Sequence, residues 1–109
     1  MRKESLMPKI KIYDPPLCCA TGICGPSVDP VLVRFAADLE WMKKKGIEIE
    51  RYNLAQQPDK FASSELVKQA MSLAGELCLP LVVVEGKVVS RNKYPEREEL
   101  AMFVGIDMK

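Results

Sequence analysis

The apolar positions of this chain change period several times, and each change marks an element. Lys9 to Asp14 alternates, with Ile10 and Ile12 on one face and Tyr13 following, which predicts a short strand. Asp14-Pro15-Pro16 closes it, because proline offers no N–H to a ladder and restricts the residue before it. From about Pro30 to Lys45 the period becomes helical: Leu32, Phe35, Leu39 and Met42 form one stripe, widened by Val31 and Ala36. Ser27 or Asp29 can cap this helix, and Pro30 suits its first position. Lys43-Lys44-Lys45 complements the macrodipole in the last turn and reads as a solvated helix end, with Gly46 as the stop. Ile47 to Tyr52 alternates again as a second strand, while Asn53 to Lys60 keeps no period and is expected to be a connection. A second helix follows, capped by Ser63 or Ser64, burying Leu66, Val67, Ala70, Met71 and Ala74 and ending at Gly75. Leu81-Val82-Val83-Val84 has the continuous apolar pattern of a strand covered on both faces. Glu85-Gly86 then makes a hairpin turn into Lys87 to Ser90. Pro95 opens a last helix carrying Leu100, Phe103 and Val104, closed by Gly105.

The resulting order, β-α-β-α-β-β-α, predicts an α/β, thioredoxin-like domain with a central four-stranded mixed sheet flanked by helices. In that fold a proline before the third strand is usually cis and lies beside the active loop, and Pro80 stands at that position. Right-handed crossovers place the C-terminal end of the first strand, and the segment after it, at one edge of the domain. Residues 1–8 are expected to form a flexible leader, 9–106 a single domain and 107–109 a tail.

Composition narrows the class. A chain of 109 residues can bury a self-sufficient core, and its 48% apolar and 28% charged content is that of an ordinary globular protein. A net charge of +1 lacks the basic footprint of a strong nucleic-acid binder. No apolar run approaches the ~20 residues a membrane-spanning helix needs, and the polar N-terminus is no secretory signal. The expectation is a cytoplasmic protein without membrane insertion, in which thiols stay reduced.

Against that background the cysteines stand out. Leu17-Cys18-Cys19-Ala20-Thr21-Gly22-Ile23-Cys24-Gly25-Pro26 holds three of the four, and no charged side chain occurs from Pro15 to Val28. The spacings provide no pair separated by two residues, which a thioredoxin-type redox site uses to lower one thiol's pKa. A Cys18–Cys19 bridge would be strained, since adjacent Cα atoms sit ~3.8 Å apart, below the ~4.4 Å common for disulfides. Cys18 or Cys19 with Cys24 is geometrically allowed, so the spacing disfavours a redox site without excluding one, and the element order with Pro80 keeps a thioredoxin-like thiol oxidoreductase or arsenate reductase as the less favoured class. Zinc wants four ligands, and with no histidine the segment would need Cys78, a carboxylate or water as the fourth. An iron–sulfur cluster wants four cysteines at other spacings. A soft trivalent metalloid fits this inventory better: arsenic or antimony binds three thiolates as a shallow, neutral pyramid, suited to an uncharged, glycine-containing segment. Cys78, between Leu77 and Leu79 and ahead of a core strand, reads instead as a small buried hydrophobe.

These residues resemble a known family. Tyr13-Asp14-Pro15-Pro16-Leu17-Cys18-Cys19-Ala20-Thr21-Gly22-Ile23-Cys24-Gly25 is similar to the metalloid-binding signature of the ArsD family of arsenical-resistance metallochaperones and weak trans-acting repressors. Glu50 to Pro58, Leu79-Pro80-Leu81 and Arg91 to Ala101 with Tyr94-Pro95 also resemble it, so the likeness spans roughly Ile10 to Ile106. The resemblance implies that Cys18, Cys19 and Cys24 hold trivalent arsenic or antimony as cargo, with no resident cofactor and no turnover. It implies transfer from cytosolic thiols to the ATPase subunit, ArsA, of an arsenite efflux pump, by stepwise thiol exchange. The family includes dimers with weak operator binding, which adds operator DNA and a second copy to the implied partners. Some members carry further vicinal cysteine pairs near the C-terminus, and this sequence has none there. Arg34 and Asp38 on the first predicted helix are expected to be exposed contact points near the cysteine segment.

Overall fold

The computed structural model describes residues 9–16 and 29–106. Its elements are β1 (Lys9–Asp14), α1 (Pro30–Lys44), β2 (Glu48–Asn53), α2 (Pro58–Ala62), α3 (Glu65–Ala74), a 3-10 turn (Gly75–Cys78), β3 (Leu81–Val84), β4 (Lys87–Arg91) and α4 (Arg97–Val104). The strands form one mixed sheet in the order β2-β1-β3-β4. β1 runs parallel to β2, with Ile10 opposite Ile49 and Asp14 opposite Asn53, while β1–β3 and β3–β4 are antiparallel. The expected mixed sheet flanked by helices is therefore present.

Strand alternation divides the core in two. Ile10 and Ile12 point to the face covered by α1 and α4, where they pack with Phe35, Leu39, Met42, Val82, Val84, Leu100 and Val104. Tyr13 points the other way, into a cluster with Phe61, Val67, Cys78, Leu79, Leu81 and Val83 under α2 and α3. β3 is buried at all four positions, as its uninterrupted apolar run requires.

Local signals set the element ends. The Asp29 side chain caps α1 by accepting from the Val31 N–H at 2.9 Å, with Pro30 next in the first helical position. The Ser64 side chain caps α3 through the Val67 N–H, and Glu96 and Glu99 form a capping box at α4. Glu85 and Gly86 take φ of 53° and 78° in the β3–β4 hairpin, the left-handed geometry such a two-residue turn demands.

Three expectations are corrected. The Asn53 to Lys60 connection ends in a short helix, α2, because Pro58 presets its first turn and Phe61 inserts edge-on against Tyr13, ring centroids 5.2 Å apart. On α3 only Val67 is fully buried; Leu66, Ala70 and Met71 are half-buried and Ala74 is exposed. The reason lies in the sheet: beyond Tyr13 this face carries Lys9, Lys11, Glu48 and Glu50, so α3 has apolar surface to cover only near Tyr13, Leu81 and Val83. On α1, Val31 is exposed rather than part of the buried stripe.

Candidate functional site

Cys18, Cys19 and Cys24 lie outside the described residues, as does Ser27. What the structure establishes is the frame on either side of them, built from the end of β1, the start of α1 and two segments that meet both.

The upstream anchor is Asp14, the last residue of β1 and fully buried. Continuing the alternation of Ile10 and Ile12 turns its carboxylate into the core rather than towards solvent. A charge there must be paired. Arg51 of β2 donates from Nε to Oδ2 at 2.6 Å and from Nη2 to Oδ1 at 3.3 Å. The Tyr94 hydroxyl donates to Oδ1 at 2.7 Å. The Arg51 guanidinium also lies 5.2 Å from the centroid of the Phe35 ring, and Phe35 and Tyr94 pack with centroids 4.9 Å apart. Burial and the bond to the Asp14 carboxylate push the Tyr94 hydroxyl well above the usual phenol range.

The downstream anchor is the first part of α1. Arg34 donates from Nη2 to the carbonyl oxygens of Tyr94 and Pro95 at 3.0 and 2.9 Å, and from Nη1 to Glu96 at 3.1 Å. Asp38, one turn on, accepts from Arg97 Nε at 2.8 Å and sits 3.5 Å from Arg34 Nε. Asp38 is only 4% exposed, which corrects the expectation of an exposed contact point. The α1–α4 packing encloses it, and the two arginines balance its charge. Arg34 is half-buried in the same network.

Pro80 behaves as its place in the chain suggests: the Leu79–Pro80 bond is cis. The Asn92 N–H donates to both the Cys78 and Pro80 carbonyls, at 3.1 and 3.0 Å, tying this turn to the end of β4. Cys78 is 2% exposed among apolar neighbours, and burial raises its thiol pKa. Those are the surroundings of an inert thiol. Among the described residues no group of three or more histidine, cysteine or acidic side chains is placed to hold a metal ion. No described helix is long and apolar enough to cross a membrane.

Sequence reasoning did not single out Asp14, Arg51 and Tyr94 as a unit. A signal existed: extending the period-two pattern of both parallel strands places Asp14 and Arg51 on the same inward face, where opposite charges must meet. Tyr94 is marked only through the Tyr94-Pro95 resemblance, and no pattern ties it to Asp14, 80 residues away.

Comparison with known proteins places the chain in a family. The family described as arsenical resistance operon protein ArsD matches residues 7–109. An arsenical resistance operon trans-acting repressor ArsD from Escherichia coli is 44% identical over 103 residues, covering 94% of this chain and 86% of its own. A second Escherichia coli protein of the same name is 44% identical over 102 residues, covering 94% of this chain and 85% of its own. The crystal structure of an arsenical resistance operon trans-acting repressor from Bacteroides vulgatus ATCC 8482 superposes with a TM-score of 0.86 at 33% identity, covering 97% of this chain and all of that one. By sequence over nearly its whole length, and by fold, the chain belongs to the ArsD family.

Proposed function

We propose that this chain carries trivalent arsenic or antimony on Cys18, Cys19 and Cys24 and delivers it to the ATPase subunit, ArsA, of an arsenite efflux pump. The observation that carries the reading is the sequence itself: three thiols within a charge-free segment of an ArsD-family chain. Three thiolates neutralise a trivalent centre, and soft sulfur is the preferred donor for it. The carboxylate just upstream, Asp14, is already engaged by Arg51 and Tyr94, so it does not compete as a hard oxygen ligand.

Loading and delivery are ligand exchanges at constant oxidation state. In each step a cysteine sulfur forms a bond to arsenic, an existing As–O or As–S bond breaks, and the thiol proton passes to the departing hydroxide or thiolate. Cytosolic thiols donate the metalloid, and partner thiols take it by the same steps in reverse order. Cys78, buried and with a raised pKa, stays out of the exchange.

Titration with arsenite tests this. Binding should saturate at one metalloid per chain, and Cys18→Ala, Cys19→Ala or Cys24→Ala should each abolish tight binding while Cys78→Ala leaves it intact. X-ray absorption at the arsenic edge should count three sulfur neighbours. An oxygen neighbour in the loaded protein, or loss of binding in Cys78→Ala, removes the ligand assignment. Delivery is tested by mixing loaded protein with purified ATPase at limiting arsenite, where ATP hydrolysis should rise above that with free arsenite.

The names of the relatives support a second role, trans-acting repression of a resistance operon. With a net charge of +1, operator affinity should be modest and strongest at low salt. An operator-shift assay with and without arsenite decides it: no shift at low salt removes this role, and release by arsenite links it to the thiol site.

A further inference from the structure

The two chain ends that bracket residues 17–28 are bound to the same short segment. On the β1 side the Tyr94 hydroxyl donates to the Asp14 carboxylate at 2.7 Å. On the α1 side Arg34 donates to the Tyr94 and Pro95 carbonyls at 3.0 and 2.9 Å, and Phe35 packs its ring against that of Tyr94. Arg51 completes the set, bonded to Asp14 at 2.6 Å and stacked over Phe35. One residue, Tyr94, thus touches Asp14 with its hydroxyl, Phe35 with its ring and Arg34 with its carbonyl.

We propose that Tyr94 is a positioning residue for the cysteine segment, holding its upstream and downstream anchors at a set separation before a metalloid arrives. This rests on the metalloid-binding reading above. The physical case concerns what a three-thiol site must overcome. Gathering three ligands from one segment costs conformational entropy, and that cost falls when the ends of the segment are already fixed. A site held by supporting hydrogen bonds binds more tightly and releases more slowly than one whose anchors drift. A tyrosine serving only as core packing would need its ring alone, and phenylalanine would replace it without consequence. The hydroxyl also pairs a buried carboxylate and so supports the fold; what assigns Tyr94 the further role is that the same residue binds both sides of the segment.

The decisive measurement is arsenite release from the loaded, full-length protein into excess dithiothreitol, at a temperature where every variant is folded. Tyr94→Phe removes the upstream tie and Arg34→Gln the downstream one. Tyr52→Phe is the control, since it deletes a hydroxyl bonded to Glu50 at 2.6 Å on the opposite sheet face. Tyr94→Phe and Arg34→Gln should each release arsenite about tenfold faster, the effect of about 1.4 kcal/mol. The arsenic edge should still show three sulfur neighbours in both, and Tyr52→Phe should match the wild type. Unchanged release in both tie variants, with the wild type holding arsenite, overturns the positioning role and leaves the carrier reading standing. Equal acceleration in Tyr52→Phe, or in Gly105→Ala, which removes the α4 cap at a similar expected cost in stability, also overturns it, because the effect would then track general stability. A wild type that fails to bind arsenite overturns both.

Discussion

Replacing Asp14 by alanine removes the acceptor at which both Arg51 and Tyr94 are aimed. The wild-type pair is deeply placed: the Asp14 side chain is fully buried and that of Arg51 is 12% exposed. Deleting one member of a buried ion pair strands the other, a loss of about 3–5 kcal/mol. Arg51 keeps some solvent and its contact with Phe35, so the lower end, about 3 kcal/mol, is expected. Tyr94→Phe deletes a single hydrogen bond to a charged group and should cost about 1.5 kcal/mol. The double variant should cost clearly less than the sum of the two, since the hydroxyl has lost its acceptor once Asp14 is gone. Urea unfolding followed by circular dichroism measures all three, with stability read from the midpoint at unchanged m-value. For a domain of this size 3 kcal/mol also corresponds to a melting point lower by roughly 12–24 °C. A loss under about 1 kcal/mol for Asp14→Ala, or strict additivity in the double variant, would refute the paired-charge account.

Three further outcomes follow from the same structure. Burial raises the pKa of Cys78 above 9.0 and that of Tyr94 above 10.0, so their contributions are complete below those values and lost as pH rises past them. The urea midpoint should therefore decline from about pH 9 upward, and Tyr94→Phe should flatten the part of that decline above pH 10. In a variant with Cys18, Cys19 and Cys24 all changed to alanine, Cys78 should react with iodoacetamide only as fast as the protein unfolds; rapid modification at pH 8 would contradict its burial. Gly105 caps α4 at φ 75° with open space where a Cβ would stand, so Gly105→Ala should cost about 1–2 kcal/mol through backbone conformation alone, and a neutral result in thermal melts would argue against that cap.

Much of the fold was legible because its signals are local. Proline at Pro15 and Pro30, glycine at Gly75 and Gly105, and shifts between periods of two and 3.6 mark the elements within a few residues of their ends. The cysteine inventory was equally local: spacing, absent histidine and absent charge can be read along the chain. Burial depth was harder. Leu66, Ala70 and Ala74 sit at helical spacing on α3, yet such positions are covered only where the sheet beneath is apolar. Asp38 reads as a solvent-facing acid on a helix until two arginines, one from α4, meet it in the core.

By itself, the sequence determined most of the elements, α2 excepted, and the spacing of the cysteines, since both depend on neighbours in the chain. Tertiary structure alone decided what supports the frame around that segment. Asp14 meets Arg51 across 37 residues and Tyr94 across 80, and no local pattern encodes a partner at that distance. A buried carboxylate must find positive charge and a donor somewhere, but which ones it finds depends on strand order and register, and those appear only when the sheet closes.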